Sequence, residues 1–137
     1  MRIDAIVFDC RDSAPLARFW AAALGWTVAP YDEVELARLA ANGITDPEED
    51  PSVMVEPPVG AELPVLFFTE VPEGKVTKNR LHLDLYTSDP DAEIERLLAL
   101  GARRYPREPE PGEDFVTLED PEHNLFDVID VRGQSGG

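Results

Sequence analysis

One cysteine, Cys10, stands in 137 residues, so no intrachain disulfide can form and the fold must rest on a packed core in a reducing compartment. Basic residues are scarce as well: 12 Lys and Arg face 28 Asp and Glu, a formal charge of -16. Such a surface repels phosphate backbones and anionic lipid, which argues against nucleic acid and membrane partners. Solubility accounts for most of that acidity without any ligand. No apolar run approaches membrane-spanning length. The first dozen residues carry Arg2, Asp4, Asp9, Arg11 and Asp12 where a secretory signal would have its apolar stretch. The expected location is cytoplasmic. Also lacking are a nucleophile with an adjacent base and a glycine-rich phosphate loop. The length suits one domain and is too short for two.

What the chain does have is an alternating stretch, Lys78-Asn79-Arg80-Leu81-His82-Leu83-Asp84-Leu85-Tyr86. A strand turns successive side chains to opposite faces, so the spacing predicts leucines on one face and Arg80, His82, Asp84 and Tyr86 on the other. A polar row of this kind is either a solvated face or a site.

The flanking sequence is organised as a repeat. Ile3–Cys10 reads as a strand. Asp12 or Ser13 can cap a helix whose Leu16, Phe19, Trp20, Ala23 and Leu24 share one face, and Gly25 ends it. Trp26–Pro30 is short and extended. Residues 32–42 read as an inserted helix, 45–51 as an acidic surface loop, and Val53–Glu56 with Val65–Thr69 as a hairpin. After the alternating stretch, Ser88-Asp89-Pro90 opens a second helix that ends at Leu100-Gly101, followed by strands at Arg103–Tyr105, Phe115–Leu118 and Leu125–Ile129. Strand, aspartate, proline, helix and Leu-Gly thus recur in order. The expected organisation is one domain over 1–131, with module one at 1–76 and module two at 77–131, and a tail at 132–137 that frays.

The doubled unit, the Lys78–Asp84 block and the turn Asp120-Pro121-Glu122-His123-Asn124 together resemble the vicinal oxygen chelate superfamily, and within it the glyoxalase-like domains related to bleomycin resistance proteins. The resemblance covers the chain outside the tail. It implies an α+β fold of two βαβββ modules forming an eight-stranded, cup-shaped sheet with helices on the outer face, often in a homodimer. It also implies a metal held by His, Gln or Glu at four strand positions facing the cup. Counting back from Asp12 to the first of these gives Ala5, which cannot bind metal, and the same count from Asp89 gives His82. The hairpin strand offers Thr69 or Glu70. The position after the turn is Asp127, one methylene shorter than the family's usual Glu.

His82 and Asp127 are therefore the metal residues that remain. The expectation is an incomplete site with no resident cofactor, a divalent metal being possible. The residues assigned to catalysis are His82 as general acid or base, Arg80 as an anion clamp and Asp84 beside the imidazole. Those assigned to ligand binding are Phe68, Asn79, Tyr86 and Asp127. His82 is equally open to being a buried histidine satisfied by Asp84 or Arg80, and Asn79 to capping a strand entry. His123 suits a turn position with positive φ. Three functions stay open: an enzyme of the lyase or isomerase type on a small oxygenated molecule, a protein that sequesters a drug or metabolite, and an interaction domain without a ligand.

Overall fold

The computed structural model describes residues 1–134; the part of the expected tail at 135–137 lies outside the described residues. The chain divides into two compact units, Met1–Gly74 and Lys75–Gly137.

In the first unit, β1 (Ala5–Cys10) leads into α1 (Ser13–Leu24), then β2 (Thr27–Val28), α2 (Glu33–Ala41), β3 (Ser52–Glu56) and β4 (Val65–Glu70). The strands form one sheet in the order β1-β4-β3-β2, with β1 parallel to β4 and the other pairs antiparallel. The apolar spacing of α1 puts Leu16, Phe19, Trp20 and Ala23 in the core, and Gly25 ends the helix in the left-handed region at φ 69°, its N–H bonding to the Ala21 carbonyl. Phe8 of β1 joins the core by stacking on Phe68 at 5.0 Å and lying 5.6 Å from the Trp20 ring. Each such buried aromatic stabilises the unit by about 1.5 to 3 kcal/mol. The start of α1 is tied down from outside: the Ser13 hydroxyl donates to the Pro51 carbonyl at 3.0 Å, and Arg18 forms a two-pronged bond to Glu48. Glu48 belongs to a 3₁₀ turn, Pro47–Glu49, which gives the acidic 45–51 loop its shape.

The second unit repeats the plan with β5 (Leu83–Thr87), α3 (Pro90–Leu100), β6 (Arg103–Arg104), β7 (Phe115–Glu119) and β8 (Leu125–Asp130), in the order β5-β8-β7-β6 and with β5 parallel to β8. Asp89 caps α3 by accepting from the Ala92 N–H at 3.2 Å. Ile94 and Leu97 of α3 are buried, as are Leu118, Phe126 and Val128 of the sheet. The turn between β7 and β8 is built on Asp120, which is wholly buried and accepts the N–H groups of Glu122 and Asn124 and the Asn124 side-chain amide. His123 has φ 69°, the left-handed turn position expected of it. Beyond β8, Val131–Gln134 forms a further 3₁₀ turn, with Arg132 paired to Asp130. The fold is therefore α+β, two βαβββ modules with one four-stranded sheet each, and α2 has no counterpart in the second unit.

Two sequence expectations change. The alternating stretch is not one strand: regular pairing begins at Leu83, and Leu81, expected on the packed face, is 65% exposed. The cause is Asn79. Its side chain accepts from the Leu125 N–H at 3.1 Å and donates to the Leu81 and Leu125 carbonyls at 3.1 and 3.4 Å. The backbone groups of Leu125 that would extend the ladder are bonded to a side chain instead. Likewise the first strand starts at Ala5, with Ile3 left 73% exposed.

Candidate functional site

Within β5, Leu83 and Leu85 are half-buried while Asp84 and Tyr86 are exposed on the other face. Asp84 pairs in register with Asp127 of β8, and Asp127 with Thr117 of β7, so the three stand side by side across the sheet. His82, just before the strand, has the same parity as Asp84. Its Nε2 lies 3.2 Å from Asp84 Oδ1 and 3.5 Å from Asp127 Oδ2. The Thr117 hydroxyl donates to the other oxygen, Asp127 Oδ1, at 2.6 Å. The Asp127 side chain is the most sheltered of the three at 18% exposure, against 47% for His82 and 46% for Asp84. Two carboxylates thus face one imidazole nitrogen, a local field that attracts a cation.

Beside this cluster is a shallow cavity of about 200 Å³, with Tyr105, Phe115 and Leu125 as apolar wall and Lys78 and Arg107 as the cations on its lining. Arg107 lies 5.0 Å over the Phe115 ring. It also makes a two-pronged bond to Glu113, one prong at 2.9 Å, and that bond holds the Glu113 carboxyl below its ordinary range.

A model of the glyoxalase-like domain family matches residues 5–129. The chain belongs to this family. Among solved structures, the glyoxalase-like chain is similar to the fosfomycin resistance protein FosX from Mesorhizobium loti at 15% identity, with a TM-score of 0.63 over 94% of this chain and 90% of that one. It is also similar to a glyoxalase/bleomycin resistance protein/dioxygenase family enzyme from Burkholderia phytofirmans, at 16% identity and TM-score 0.61 over 93% and 97%. A third relative is FosX from Listeria monocytogenes, at 13% identity and TM-score 0.61 over 95% and 89%. At such identities the likeness shows the fold, the two-module arrangement of the vicinal oxygen chelate superfamily. No curated protein sequence matches the chain.

The structure unites part of the expected site in this glyoxalase-like domain. His82, Asp84 and Asp127 come together. Arg80 sits on an exposed bend and has no hydrogen bond or ion pair among the described residues, and Tyr86 is 62% exposed on the face of Asp84. Asn79 pins the strand entry through Leu125. Phe68 has no surface to offer a ligand: it is 0% exposed and packs under α1, because alternation along β4 sends Leu66 and Phe68 to the helix side. In module one the position matching Asp127 is Phe67. Val7 pairs with Phe67 as Asp84 pairs with Asp127, and Val7 and Asp84 precede the helix caps Asp12 and Asp89 by the same interval. That register replaces Thr69 and Glu70 as the counterpart, since a count through the loop before β4 has no fixed reference. Sequence reasoning missed Thr117, Tyr105 and Arg107. Thr117 could have been found by aligning the strand Phe115–Leu118 antiparallel to Leu125–Ile129 across the turn.

Proposed function

We propose that the second unit is a divalent-cation-assisted site for a small oxygenated molecule, with chemistry of the lyase, isomerase or related type and with His82, Asp84 and Asp127 as its three protein donors. The observation that supports it is the convergence of one imidazole nitrogen and two carboxylate oxygens, all within 4.8 Å of one another. Donor atoms bound at about 2.1 Å to one ion sit roughly 3.0 to 3.4 Å apart on adjacent positions, and the distances from His82 Nε2 are 3.2 and 3.5 Å. Two carboxylates and an imidazole also suit the charge of a dication. The expectation of an incomplete site counted His82 and Asp127; Asp84 adds the third donor.

A bound dication would act as a Lewis acid on a substrate oxygen. The chain's own residues do the rest. Thr117 holds Asp127 Oδ1 and so aims Oδ2 at the site. Tyr105, Phe115 and Leu125 shield the adjacent cavity from water, and Lys78 gives an anionic substituent on the substrate a partner. Because His82 Nε2 faces two carboxylates, the imidazole serves as a donor to the site, in place of the general acid or base read from sequence. FosX from Listeria monocytogenes is described as a complex with Mn(II) and 1S,2S-dihydroxypropylphosphonic acid, a cation with a small oxygenated ligand, which supports the reading. The reading extends to a homodimer in the cytoplasm, checked by light scattering on the purified chain and by fractionation of the cells that make it. Among the described residues no helix is long and apolar enough to cross a membrane.

Titration calorimetry of the chelator-treated protein with Mn(II), Ni(II) and Zn(II) tests the centre. One ion per chain is expected for at least one metal, lost in His82→Ala and in Asp127→Asn. No binding, or binding that survives both substitutions, overturns it.

A further inference from the structure

A larger cavity, about 570 Å³, opens in the first unit and is lined only by residues of that unit. This volume is in the range of small-molecule pockets, roughly 300 to 1,000 Å³. Its floor is the face of the sheet turned away from α1. Alternation along β3 buries Val53 and Val55 and leaves Ser52, Met54 and Glu56 on the open side, with Phe67 paired to Met54 from β4. Its wall is the segment 29–32 together with Glu35 and Arg38 of α2, the inserted helix that the second unit lacks.

The charges on this lining sort into used and unused groups. Arg38 is bonded to Glu35, with Nη2 and Nε at 2.9 and 3.1 Å from Oε2. Asp50, 3% exposed, has one oxygen bonded to the Ser52 N–H at 3.0 Å and the other to the Tyr31 hydroxyl at 2.7 Å. Burial and the Asp50 carboxylate push the Tyr31 hydroxyl well up from its ordinary value, so it stays a neutral donor. Asp32 gives one oxygen to the α2 N-terminus through the Glu35 N–H. Glu56 is left. Its carboxylate is half-buried on the cavity floor beside Met54 and has no hydrogen bond or ion pair among the described residues. A carboxylate taken partly out of water without a partner is unfavourable and is relieved by a cation. The cavity's only cation is already paired, and the floor next to Glu56 is apolar and aromatic.

We propose that this cavity is a second small-molecule site, selective for an organic cation: an amine whose charged head meets the Glu56 carboxylate and whose apolar body lies on Met54, Phe67 and Pro30. The Phe67 ring adds a face for the cation or its apolar body. Arg38, held by Glu35, walls the site without competing for Glu56. The inserted helix α2 is then a specificity element, because it supplies the wall that turns an open sheet face into a pocket.

The probes are phenethylamine and benzyltrimethylammonium, with 2-phenylethanol as neutral and 3-phenylpropanoate as charge-reversed controls. Binding is followed by titration calorimetry and by amide shifts in NMR. The amines are expected to bind and to shift Met54, Glu56 and Phe67, while the two controls bind at least tenfold more weakly or not at all. Glu56→Gln is expected to weaken the amines tenfold or more with the melting temperature unchanged, and Met54→Trp, which fills the cavity, to abolish binding. Amines that do not bind, that bind no better than 2-phenylethanol, or that bind Glu56→Gln as well as wild type overturn the proposal. His82→Ala leaves amine binding intact, so failure here is separate from failure of the cation site in the second unit.

Discussion

Position for position, the two sheets agree on the side that packs and differ on the side that does not. On the helix side, Val53, Val55, Leu66 and Phe68 of the first unit answer to Val116, Leu118, Phe126 and Val128 of the second, with matching pairings. On the open side, Ala5, Val7, Met54 and Phe67 answer to His82, Asp84, Thr117 and Asp127. The helix side has to stay apolar because burial under α1 or α3 holds each unit together. The open side carries no such obligation, so one copy has become apolar and the other a convergent set of donors. One backbone plan thus hosts two kinds of surface, and chemistry has to be read from side chains and register.

The contrast breaks most visibly in the first core. Phe68→Ala should cost about 3 to 5 kcal/mol, since a large side chain with no exposure leaves a cavity. Urea denaturation should show a lower midpoint with little change in slope, and the smaller Val128→Ala should cost less. The buried turn of the second unit comes next. Asp120→Ala removes the acceptor of two backbone N–H groups and should cost about 1 to 3 kcal/mol, read in the same way.

Thr117→Val sharpens the open-face difference without touching the packed side. Loss of the hydroxyl that orients Asp127 should weaken divalent-cation binding by about 10- to 100-fold in calorimetry, with Thr117→Ser retaining most of it. Leu81→Ser should change stability by no more than about 0.5 kcal/mol, because Leu81 lies outside the ladder and is mostly exposed. A cost as large as that of Leu85→Ser would restore Leu81 to the packed face. The smallest effect is in the 105–114 loop. The Glu113 carboxyl is held below its ordinary range by Arg107, so the stabilisation is complete above that range and is lost as pH falls through the lowered value. Amide exchange in the loop should rise on acidification below about pH 4, well before the sheet opens, and Glu113→Gln should remove that dependence.

Much of this was legible from local pattern. Apolar spacing and Gly25 marked α1, Asp89-Pro90 marked the start of α3, and the recurrence of strand, aspartate, helix and Leu-Gly gave the two modules. The strands around the Asp120 turn read correctly because a short turn fixes register. His82, Asp84 and Asp127 were each visible as candidates through parity along a strand and position after that turn. The extended reading of 78–82 failed because alternation says nothing about a side-chain amide 46 residues away in sequence competing for the ladder. The counterpart of Asp127 in module one was misplaced because the loop before β4 offers no length to count from.

The amino-acid sequence by itself determined the order of elements, the faces that pack, the acidic surface and the absence of disulfides, all of which depend on neighbours along the chain or on totals. Only the tertiary structure decided which polar residues meet. The cluster of His82 with Asp84 and Asp127, the Thr117 bond behind it, the isolation of Arg80 and the unpaired Glu56 above its apolar floor all depend on strand register. Register is set by pairings between segments far apart in sequence, and a shift of one residue would send every one of these side chains to the opposite face.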